Sequence, residues 1–363
     1  MPALATAQGT SRFRKRAVKA GMATGHYREL AELSVSSIGI GTYLGDADPE
    51  TDQRYTQAVR RAVELGSNFI DTAINYRFQR SERSVGAALK ELEAAGTAAR
   101  DELVIATKGG FIPFDGRPPA NPAAYFNDAF VAPGVARPDE LVAGCHCMTP
   151  GYLRNQLEAS LKNLGLSAVD IYYVHNPETQ LSELDPKEFY ARLAEAFGEL
   201  EKCASESLIG MYGTATWNGY RVDEQAPDYL SLERVVEAAR AAGGDRHRFG
   251  VVQLPFNLSM TEALALRNQK VAAEECSLIE AAHRLKVSVV ASGSLVQGRL
   301  IGRLPQEMRA LFPGCDQDAQ RALQFVRSTP GITVGLVGMK ALEHVEENLK
   351  VARLEPASLF SES

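Results

Sequence analysis

Short apolar strand patterns alternate with amphipathic helical patterns along most of the chain, and this alternation limits the fold more than any other feature. Runs rich in Val, Ile and Tyr predict strands at residues 37–41, 68–71, 103–107, 170–174, 208–212, 250–253, 287–291 and 333–337. Nearly continuous apolar strands are typical of a parallel sheet that is covered by helices.

Helical patterns fill most of the segments between these strands, at residues 52–65, 152–164, 186–203, 232–242, 276–285, 318–328 and 342–352. Repeated strand–helix alternation favours a closed (β/α)8 barrel over an open, doubly wound sheet. No G-x-G-x-x-G motif follows the first strand, which also disfavours a doubly wound dinucleotide-binding domain. The sequence therefore predicts a single α/β domain of the (β/α)8, or TIM-barrel, class.

Two segments depart from the alternation. The first 22 residues are basic and contain no acidic residue, a composition shared by transit peptides and loose extensions. We expect a loose extension over residues 1–26, and the barrel domain over residues 27–363. Residues 110–149 are rich in proline, glycine and aromatic residues, so we expect an inserted lid or substrate loop after the third strand.

Composition disfavours several partner classes. The formal net charge of −6 argues against nucleic acid, and no apolar run approaches the roughly 20 residues that span a bilayer. We expect a cytoplasmic protein, with organelle targeting by the basic N-terminus as the alternative. Cys145 and Cys147 flank His146 like half of a metal site, but no second half follows, so we expect free thiols and no metal. The lack of H-x-H or clustered carboxylates also disfavours a metal-dependent hydrolase.

Polar side chains follow three consecutive predicted strands, at the ends where (β/α)8 barrels carry their chemistry. Asp71, Lys108 and His175 end the second, third and fourth strands, and Tyr76 lies in the loop after Asp71. Each alone has an ordinary explanation as a cap or rim residue, but together they indicate a site. Tyrosine has a pKa of about 10, which a nearby ammonium lowers. We therefore expect Lys108, paired with Asp71, to lower the pKa of Tyr76 as proton donor, and His175 to orient a carbonyl.

Several motifs resemble the aldo-keto reductase superfamily over residues 27–352: IGIGTYLG, NFIDTAINYRFQRSERSVGAAL, LVIATKGG, VDIYYVHNPE and VGMKALEHVEENL. The resemblance implies that Asp71, Tyr76, Lys108 and His175 form the family's catalytic tetrad. It also implies a hairpin at residues 27–36 that closes the barrel bottom. The implied activity is reduction of an aldehyde or ketone, or oxidation of the matching alcohol, by direct hydride transfer.

The same resemblance implies a cofactor site. Residues 292–298 resemble the family's pyrophosphate loop, although an ordinary turn is the alternative, and Gly338-Met339-Lys340 resembles the G-x-R/K motif of bacterial members and of the potassium-channel β subunit. NADP(H) is therefore the expected cofactor, with NAD(H) as the alternative. The implied cofactor contacts are Gly41, Thr42, Tyr43, Asp71, Thr214, Ala215, Gln253, Ser292, Gly293, Ser294, Leu295, Gly298, Gly338, Met339, Lys340, His344, Glu347 and Asn348.

Three departures from the family pattern weaken these contacts. Residues 213–217 replace a common Ser-Asn or Ser-Arg pair, Ser292 replaces a common aromatic residue, and His344 replaces a common arginine. A cofactor-binding sensor or partner subunit with little turnover is therefore the alternative function. We expect a small carbonyl or alcohol to contact Tyr43, Phe111, Phe114, His146 and Trp217. The sequence leaves the substrate identity and the oligomeric state open.

Overall fold

The computed structural model describes residues 3–302 and 304–359, so residues 1–2, 303 and 360–363 lie outside the description that follows. The predicted range 1–26 includes residues 1–2, and the predicted range 27–363 includes residues 303 and 360–363. Among the described residues, none of the helices combines the length and the apolar character that crossing a membrane requires.

Eight of the strands in the described residues form a closed barrel in which every neighbouring pair is parallel. The strands are β1 (Tyr27–Leu30), β2 (Leu33–Ser36), β3 (Ile38–Gly41), β4 (Phe69–Asp71), β5 (Val104–Gly109), β6 (Val169–His175), β7 (Ile209–Ala215), β8 (Phe249–Pro255), β9 (Gln269–Val271), β10 (Glu274–Cys276), β11 (Ser288–Ser292) and β12 (Ile332–Gly338). The barrel order is β3-β4-β5-β6-β7-β8-β11-β12, and β12 pairs with β3. This confirms the predicted (β/α)8 class, and each predicted strand overlaps one barrel strand.

Helices connect the strands and cover the outside of the barrel. They are α1 (Ala7–Lys19), α2 (Pro49–Glu64), α3 (Arg80–Ala94), α4 (Pro122–Phe126), α5 (Pro150–Leu164), α6 (Pro186–Ser205), α7 (Leu232–Gly243), α8 (Glu262–Ala265), α9 (Leu278–Arg284), α10 (Gln306–Ala310), α11 (Asp318–Ser328) and α12 (Leu342–Leu349). Each of the predicted helices overlaps one of these. The elements that the sequence patterns did not predict are α1, α3, α4, α8, α10, β9 and β10.

The helix α3 was missed because it begins without an ordinary start signal. Its N-cap residue, Gln79, has a left-handed backbone with φ of 69°, and its side chain forms no capping hydrogen bond. The apolar spacing of Val85, Ala88, Leu89 and Leu92 does follow one helical face, and all four side chains are buried. That spacing was the available signal for α3.

Two apolar layers hold the barrel together. One cluster fills its interior, with Phe69, Val104, Ile171, Val251 and Val334 among its members. A larger cluster lies between the outside of the barrel and the surrounding helices. Bulky residues inside and out give the parallel strands the two-sided burial that their apolar sequences require.

The strands β1 and β2 form the antiparallel hairpin that the resemblance implied, joined by a tight turn at Ala31 with φ of 50°. Leu30 and Val35 of this hairpin are fully buried in the interior cluster of the barrel. Since the chain passes directly from β2 into β3, the hairpin closes the end of the barrel at which the strands begin.

The N-terminal segment is folded, so the expectation of a loose extension is wrong for residues 5–19. The helix α1 buries Phe13 and Ala17 against the outer cluster. Arg12 and Arg16 pair with Glu102, at 2.8 and 2.9 Å. Two of the basic residues that were interpreted as part of a transit peptide or a loose tail, Arg12 and Arg16, therefore pair with carboxylates at the bottom of the barrel.

The insertion after β5 has its own small apolar core. It contains α4 and a following π-helical turn, Asn127–Val131. Phe126 and Phe130 pack on Tyr152 of α5, with ring centroids 6.3 and 5.0 Å away. Short β-bridges join His146, in the last part of the insertion, to Val142 and to Phe111 at the start of the insertion. The segment is therefore a shaped loop that is attached to the barrel at both ends.

Candidate functional site

Asp71, Lys108 and His175 lie on three adjacent barrel strands at the end where those strands finish. Asp71 is the last residue of β4, Lys108 is the residue before the end of β5, and His175 ends β6. Parallel pairing aligns Asp71 with Ala106 and Lys108 with Tyr173. The structure thus brings the three predicted residues to one opening because their strands are neighbours.

Asp71 and Lys108 form a buried ion pair. The Lys108 Nζ atom donates to Asp71 Oδ1 at 2.5 Å and to the Thr72 carbonyl at 2.8 Å. Gln253 Nε2 donates to the other carboxylate oxygen at 2.8 Å. Burial raises the pKa of Asp71 and lowers the pKa of Lys108, and the mutual attraction opposes both shifts. Since each charge has its partner, the pair adds little net charge to the opening.

Tyr76 lies above this pair. The Lys108 Nζ atom is 4.9 Å from the centroid of the Tyr76 ring, and the ring makes edge contacts with His175 and Tyr43 at 5.7 and 4.9 Å. Burial, followed by the Asp71 carboxylate, raises the pKa of Tyr76 well above 10.0. The expected net lowering of this pKa is therefore wrong, because the Lys108 charge is neutralised by Asp71 and the half-buried ring is partly removed from water.

His175 is a neutral imidazole at the same opening. Burial, and then the Lys108 charge, lowers its pKa well below 6.5. Its Nδ1 atom is buried and makes no hydrogen bond to the residues that the structure describes. A neutral imidazole at this position carries one N–H donor and one acceptor, so it can orient a polar ligand atom without adding a charge.

The backbone directly after Tyr76 is strained. Arg77, Phe78 and Gln79 all have left-handed φ angles, between 47° and 69°, and non-glycine residues adopt this region at a cost. The buried Arg77 side chain offsets that cost by donating to the Asp46 carbonyl at 2.9 Å and to the Asp52 carboxylate at 2.6 Å. Arg77 thereby ties the segment that carries Tyr76 to the loop after β3. The sequence analysis missed this role.

The expected phosphate loop forms a tight turn after β11. Four of its residues, Gly293, Val296, Gln297 and Gly298, have φ angles between 48° and 84°. A Cβ atom added to Gly293 would meet no atom within 4 Å, so open space lies beside the backbone there. Ser294 instead donates its hydroxyl to the Leu336 carbonyl at 2.7 Å, which holds this turn against β12. A turn of this kind presents backbone N–H groups to an anion.

Lys340, which follows β12 in the chain, lies near the loop after β3. A Cβ atom on Gly45 would be 3.3 Å from the Lys340 Nζ atom. The ion pairs formed within the described residues do not include Lys340. An ammonium group and the backbone N–H groups of a turn are both groups that bind phosphate in proteins.

The remaining cofactor candidates differ in how accessible they are. Gly338, Gly298 and His344 are exposed, and Gly41, Ser292, Leu295 and Glu347 are half-buried. Met339, Ala215 and Asn348 are buried. The Thr42 hydroxyl donates to Thr72 Oγ1 at 2.9 Å, and the Thr214 hydroxyl is 2.8 Å from Tyr220 Oη. The side chains of Thr42 and Thr214 are therefore engaged within the protein rather than open to a ligand.

The five substrate candidates divide into two groups. Tyr43 and Trp217 are large aromatic residues that remain 58% and 50% exposed at the opening. Phe111 lies beside His175, with ring centroids 5.2 Å apart. His146 is fully buried behind His175, where its Nε2 atom contacts the His175 carbonyl at 2.7 Å. Phe114 packs on Tyr125 within the insertion, so neither His146 nor Phe114 lies open at the mouth in this conformation.

The Cys145–Cys147 segment shows no metal-binding arrangement. The described residues include no group of three His, Cys, Asp or Glu side chains that is suited to a metal ion. All five cysteines are unpaired. The His146 Nδ1 atom contacts Gln180 Nε2 at 2.9 Å, so both ring nitrogens of His146 already have protein partners.

Known proteins resemble this chain over most of the barrel. Residues 37–311 match the model described as "Aldo/keto reductase family". The chain is 27% identical over 198 residues to the NADH-specific methylglyoxal reductase of Escherichia coli (strain K12), covering 53% of the chain and 52% of that protein. It is 24% identical over 231 residues to a Schizosaccharomyces pombe aldo-keto reductase whose name includes NADP(+), covering 62% and 56%. The chain spans about half the length of the curated relatives it matches.

The fold is similar to solved structures. An aldo/keto reductase from Klebsiella pneumoniae in complex with NADP and acetate superimposes with a TM-score of 0.58 at 20% identity. The superposition covers 90% of this chain and 89% of that one. At this level of identity the likeness supports the fold alone.

Proposed function

Because the chain belongs to the aldo/keto reductase family, we propose that it is an oxidoreductase that exchanges hydride between a nicotinamide dinucleotide and a small aldehyde, ketone or matching alcohol. The observation that carries this proposal is the meeting of Tyr76, His175 and the Asp71–Lys108 pair at one opening. A protonated phenol and a neutral imidazole supply the acid and the hydrogen-bond donor that carbonyl reduction needs.

Each residue would have a separate role in this chemistry. A bound nicotinamide would supply the hydride, while the chain supplies the proton and the position of the carbonyl. The Tyr76 hydroxyl donates its proton to the carbonyl oxygen as negative charge develops there. The nearby Lys108 ammonium stabilises the phenolate that remains, and Asp71 holds this ammonium in place. His175 donates a hydrogen bond that fixes the orientation of the carbonyl.

A substrate panel tests the proposed function directly. Purified protein is mixed with NADPH or NADH and with a series of aldehydes and ketones, and cofactor oxidation is followed by absorbance. We expect turnover of at least one aldehyde. Tight cofactor binding without turnover across the panel would favour a sensor or partner subunit and contradict the proposal.

We infer a preference for NADP(H) from the Lys340 amine, which forms no ion pair with the residues that the structure describes. A charge-assisted contact to the ribose 2′-phosphate contributes about 1.5–3 kcal/mol, or roughly 10- to 100-fold in affinity. Lys340→Ala should therefore weaken NADPH binding by that factor and change NADH binding little, as measured by fluorescence titration. Lys350→Ala is the matched control, because Lys350 is an exposed lysine directly after α12 and its substitution removes the same charge. Equal weakening of both cofactors by Lys340→Ala would contradict the role.

We propose that residues 110–149 form part of the substrate pocket. Phe111 contacts His175 from this segment, and the aromatic core behind it fixes the shape of the loop. Replacing residues 114–141 with a short Gly/Ser linker should raise KM strongly or abolish turnover, while the Kd for NADPH stays within a few-fold. Replacing only the loop tip at residues 117–120 serves as the control. Unchanged kinetics after the large replacement would show that the loop packs outside the pocket.

A further inference from the structure

Glu178 is a buried carboxylate that belongs to none of the roles above, although it lies three residues after His175 in the VHNPE motif. Its Oε1 atom accepts backbone hydrogen bonds from Trp217, Asn218 and Gly219, at 2.7, 3.1 and 3.4 Å. The residue is only 6% exposed, and its Oε2 atom is buried without a partner among the described residues. One oxygen of this carboxylate thus binds three consecutive backbone N–H groups of the turn at residues 217–219.

Consecutive backbone N–H groups that point to one place form a concave site for an anion. In this protein the anion is supplied by the chain itself. Burial raises the pKa of Glu178 to about 6, and the three N–H groups oppose that rise because they favour the charged form. The carboxylate is therefore mainly ionised at neutral pH, when its bonds to the turn are charge-assisted and strong.

The turn carries Trp217 to the opening. The strand β7 ends at Ala215, which pairs with His175 across the β6–β7 ladder, and Trp217 is two residues further on. The Trp217 carbonyl accepts a hydrogen bond from Arg221 at 3.1 Å. Arg221 is itself paired with Glu262 at 3.1 Å. Both backbone polar groups of Trp217 are thus fixed, while its indole remains 50% exposed.

An exposed aromatic side chain on a fixed backbone is the usual form of a binding anchor, since little conformational entropy is lost when a ligand packs on it. The other rings at this opening are also uncharged. Tyr43 stacks edge-on to Tyr76, Phe111 stacks edge-on to His175, and the lowered pKa of His175 leaves its ring neutral. These surroundings favour a flat, uncharged group over an ionised one.

We propose that Glu178 is a positioning residue that presents Trp217 as one wall of the substrate pocket, and that this wall selects carbonyl compounds with a flat aromatic group. The inference rests on the proposed reductase function, because the carbonyl is taken to react at Tyr76. It adds to that function a side chain that selects the substrate, Trp217, and the residue that positions this side chain, Glu178.

Trp217 is the only tryptophan of the chain, so its fluorescence reports on this wall alone. The probes are benzaldehyde and propanal, compared as the ratio of their kcat/KM values with NADPH. Trp217→Ala should lower the benzaldehyde-to-propanal ratio about 3- to 10-fold, which is the size of one aromatic contact. In the wild-type protein, benzaldehyde should quench the Trp217 emission and propanal should not.

The role of Glu178 is tested with two substitutions. Glu178→Ala leaves three backbone donors without an acceptor, and should increase acrylamide quenching of Trp217 and lower the selectivity ratio as Trp217→Ala does. Glu178→Gln keeps an acceptor oxygen and should recover most of both properties. Glu188→Ala is the control, because it removes a carboxylate from an exposed position. It should change neither the acrylamide quenching of Trp217 nor the selectivity ratio.

Several results would overturn the inference. It fails if Trp217→Ala leaves the selectivity ratio unchanged, or if neither Glu178 variant alters quenching or selectivity. Should Glu178→Ala not fold, Glu178→Asp takes its place, because the shorter side chain does not reach the three N–H groups, and unchanged quenching and selectivity in that variant would equally overturn the inference. An absence of turnover with both aldehydes in the wild-type protein counts against the proposed function instead. In that case quenching of Trp217 by benzaldehyde but not propanal supports the wall, and equal quenching or none overturns it.

Discussion

Tyr76→Phe is expected to lower kcat for carbonyl reduction by about 10²- to 10⁴-fold, the usual contribution of a positioned acid. The substitution removes only the hydroxyl, so the contacts of the ring with Tyr43 and His175 stay. NADPH affinity, measured by fluorescence titration, should therefore remain close to that of the wild-type protein. Tyr229→Phe removes a hydroxyl that bonds to the Asn268 carbonyl away from the opening, and serves as the matched control. Ordinary turnover by Tyr76→Phe would rule out this tyrosine as the proton donor.

The pH dependence of reduction follows from the same residue. Reduction requires the protonated phenol, and burial raises the pKa of Tyr76 above its usual value of about 10. A raised pKa keeps the acid form present over the whole neutral range and removes it only in strong alkali. Since His175 is already neutral at pH 6.5, we expect no inflection from either group between pH 6.5 and 9 in a kcat profile. A fall of activity centred near pH 7 would contradict this assignment.

Lys108→Met is expected to abolish activity and to destabilise the protein. It leaves the Asp71 carboxylate buried without its cation, and removal of one partner from a buried pair costs about 3–5 kcal/mol. The free energy of unfolding, measured in urea, should fall by that amount. Asp71→Asn should have a milder effect, because the Lys108 ammonium keeps its bond to the Thr72 carbonyl.

The double variant Lys108→Met/Asp71→Asn separates stability from chemistry. With both charges removed, no uncompensated ion is buried, so part of the lost stability should return. Activity should not return, because no ammonium remains beside Tyr76 to stabilise its phenolate. If the double variant were no more stable than Lys108→Met, the charge of Asp71 would not be the source of the cost. Recovery of activity in the double variant would exclude the proposed role of Lys108.

Much of this arrangement can be predicted from the sequence, because barrel strands follow local rules. Apolar runs of four or five residues between helical patterns are enough to locate the strands. Parallel neighbours also end at one rim, so Asp71, Lys108 and His175 must lie close together once the strand order is known. The family motifs add Tyr76, which periodicity alone does not distinguish from other loop residues.

What the sequence does not predict depends on contacts between distant residues. The helix α1 is held by ion pairs of Arg12 and Arg16 with Glu102. The sequence alone does not show that these distant residues meet, because only the closed barrel brings them together. The net direction of the Tyr76 pKa shift depends on burial, which spacing does not reveal. The buried position of His146 likewise follows from the return path of the insertion. Glu178 lies within the VHNPE motif, but only the fold brings it to the turn that contains Trp217.

The docking of α1 also affects the order in which the chain acquires its structure. Arg12 precedes its partner Glu102 by 90 residues, and Ala5 donates to Asp170 across 165 residues of sequence. Contacts of such wide separation form after local ones, because the intervening chain must first be ordered. The helix α1 therefore gains these tertiary partners only after much more of the chain has been made. Until residues 101 and 102 have been made, Arg12 and Arg16 lack their carboxylate partners. The bond from Ala5 to Asp170 forms only once β6 is present, so complete attachment of α1 reports that the strands up to β6 are in place.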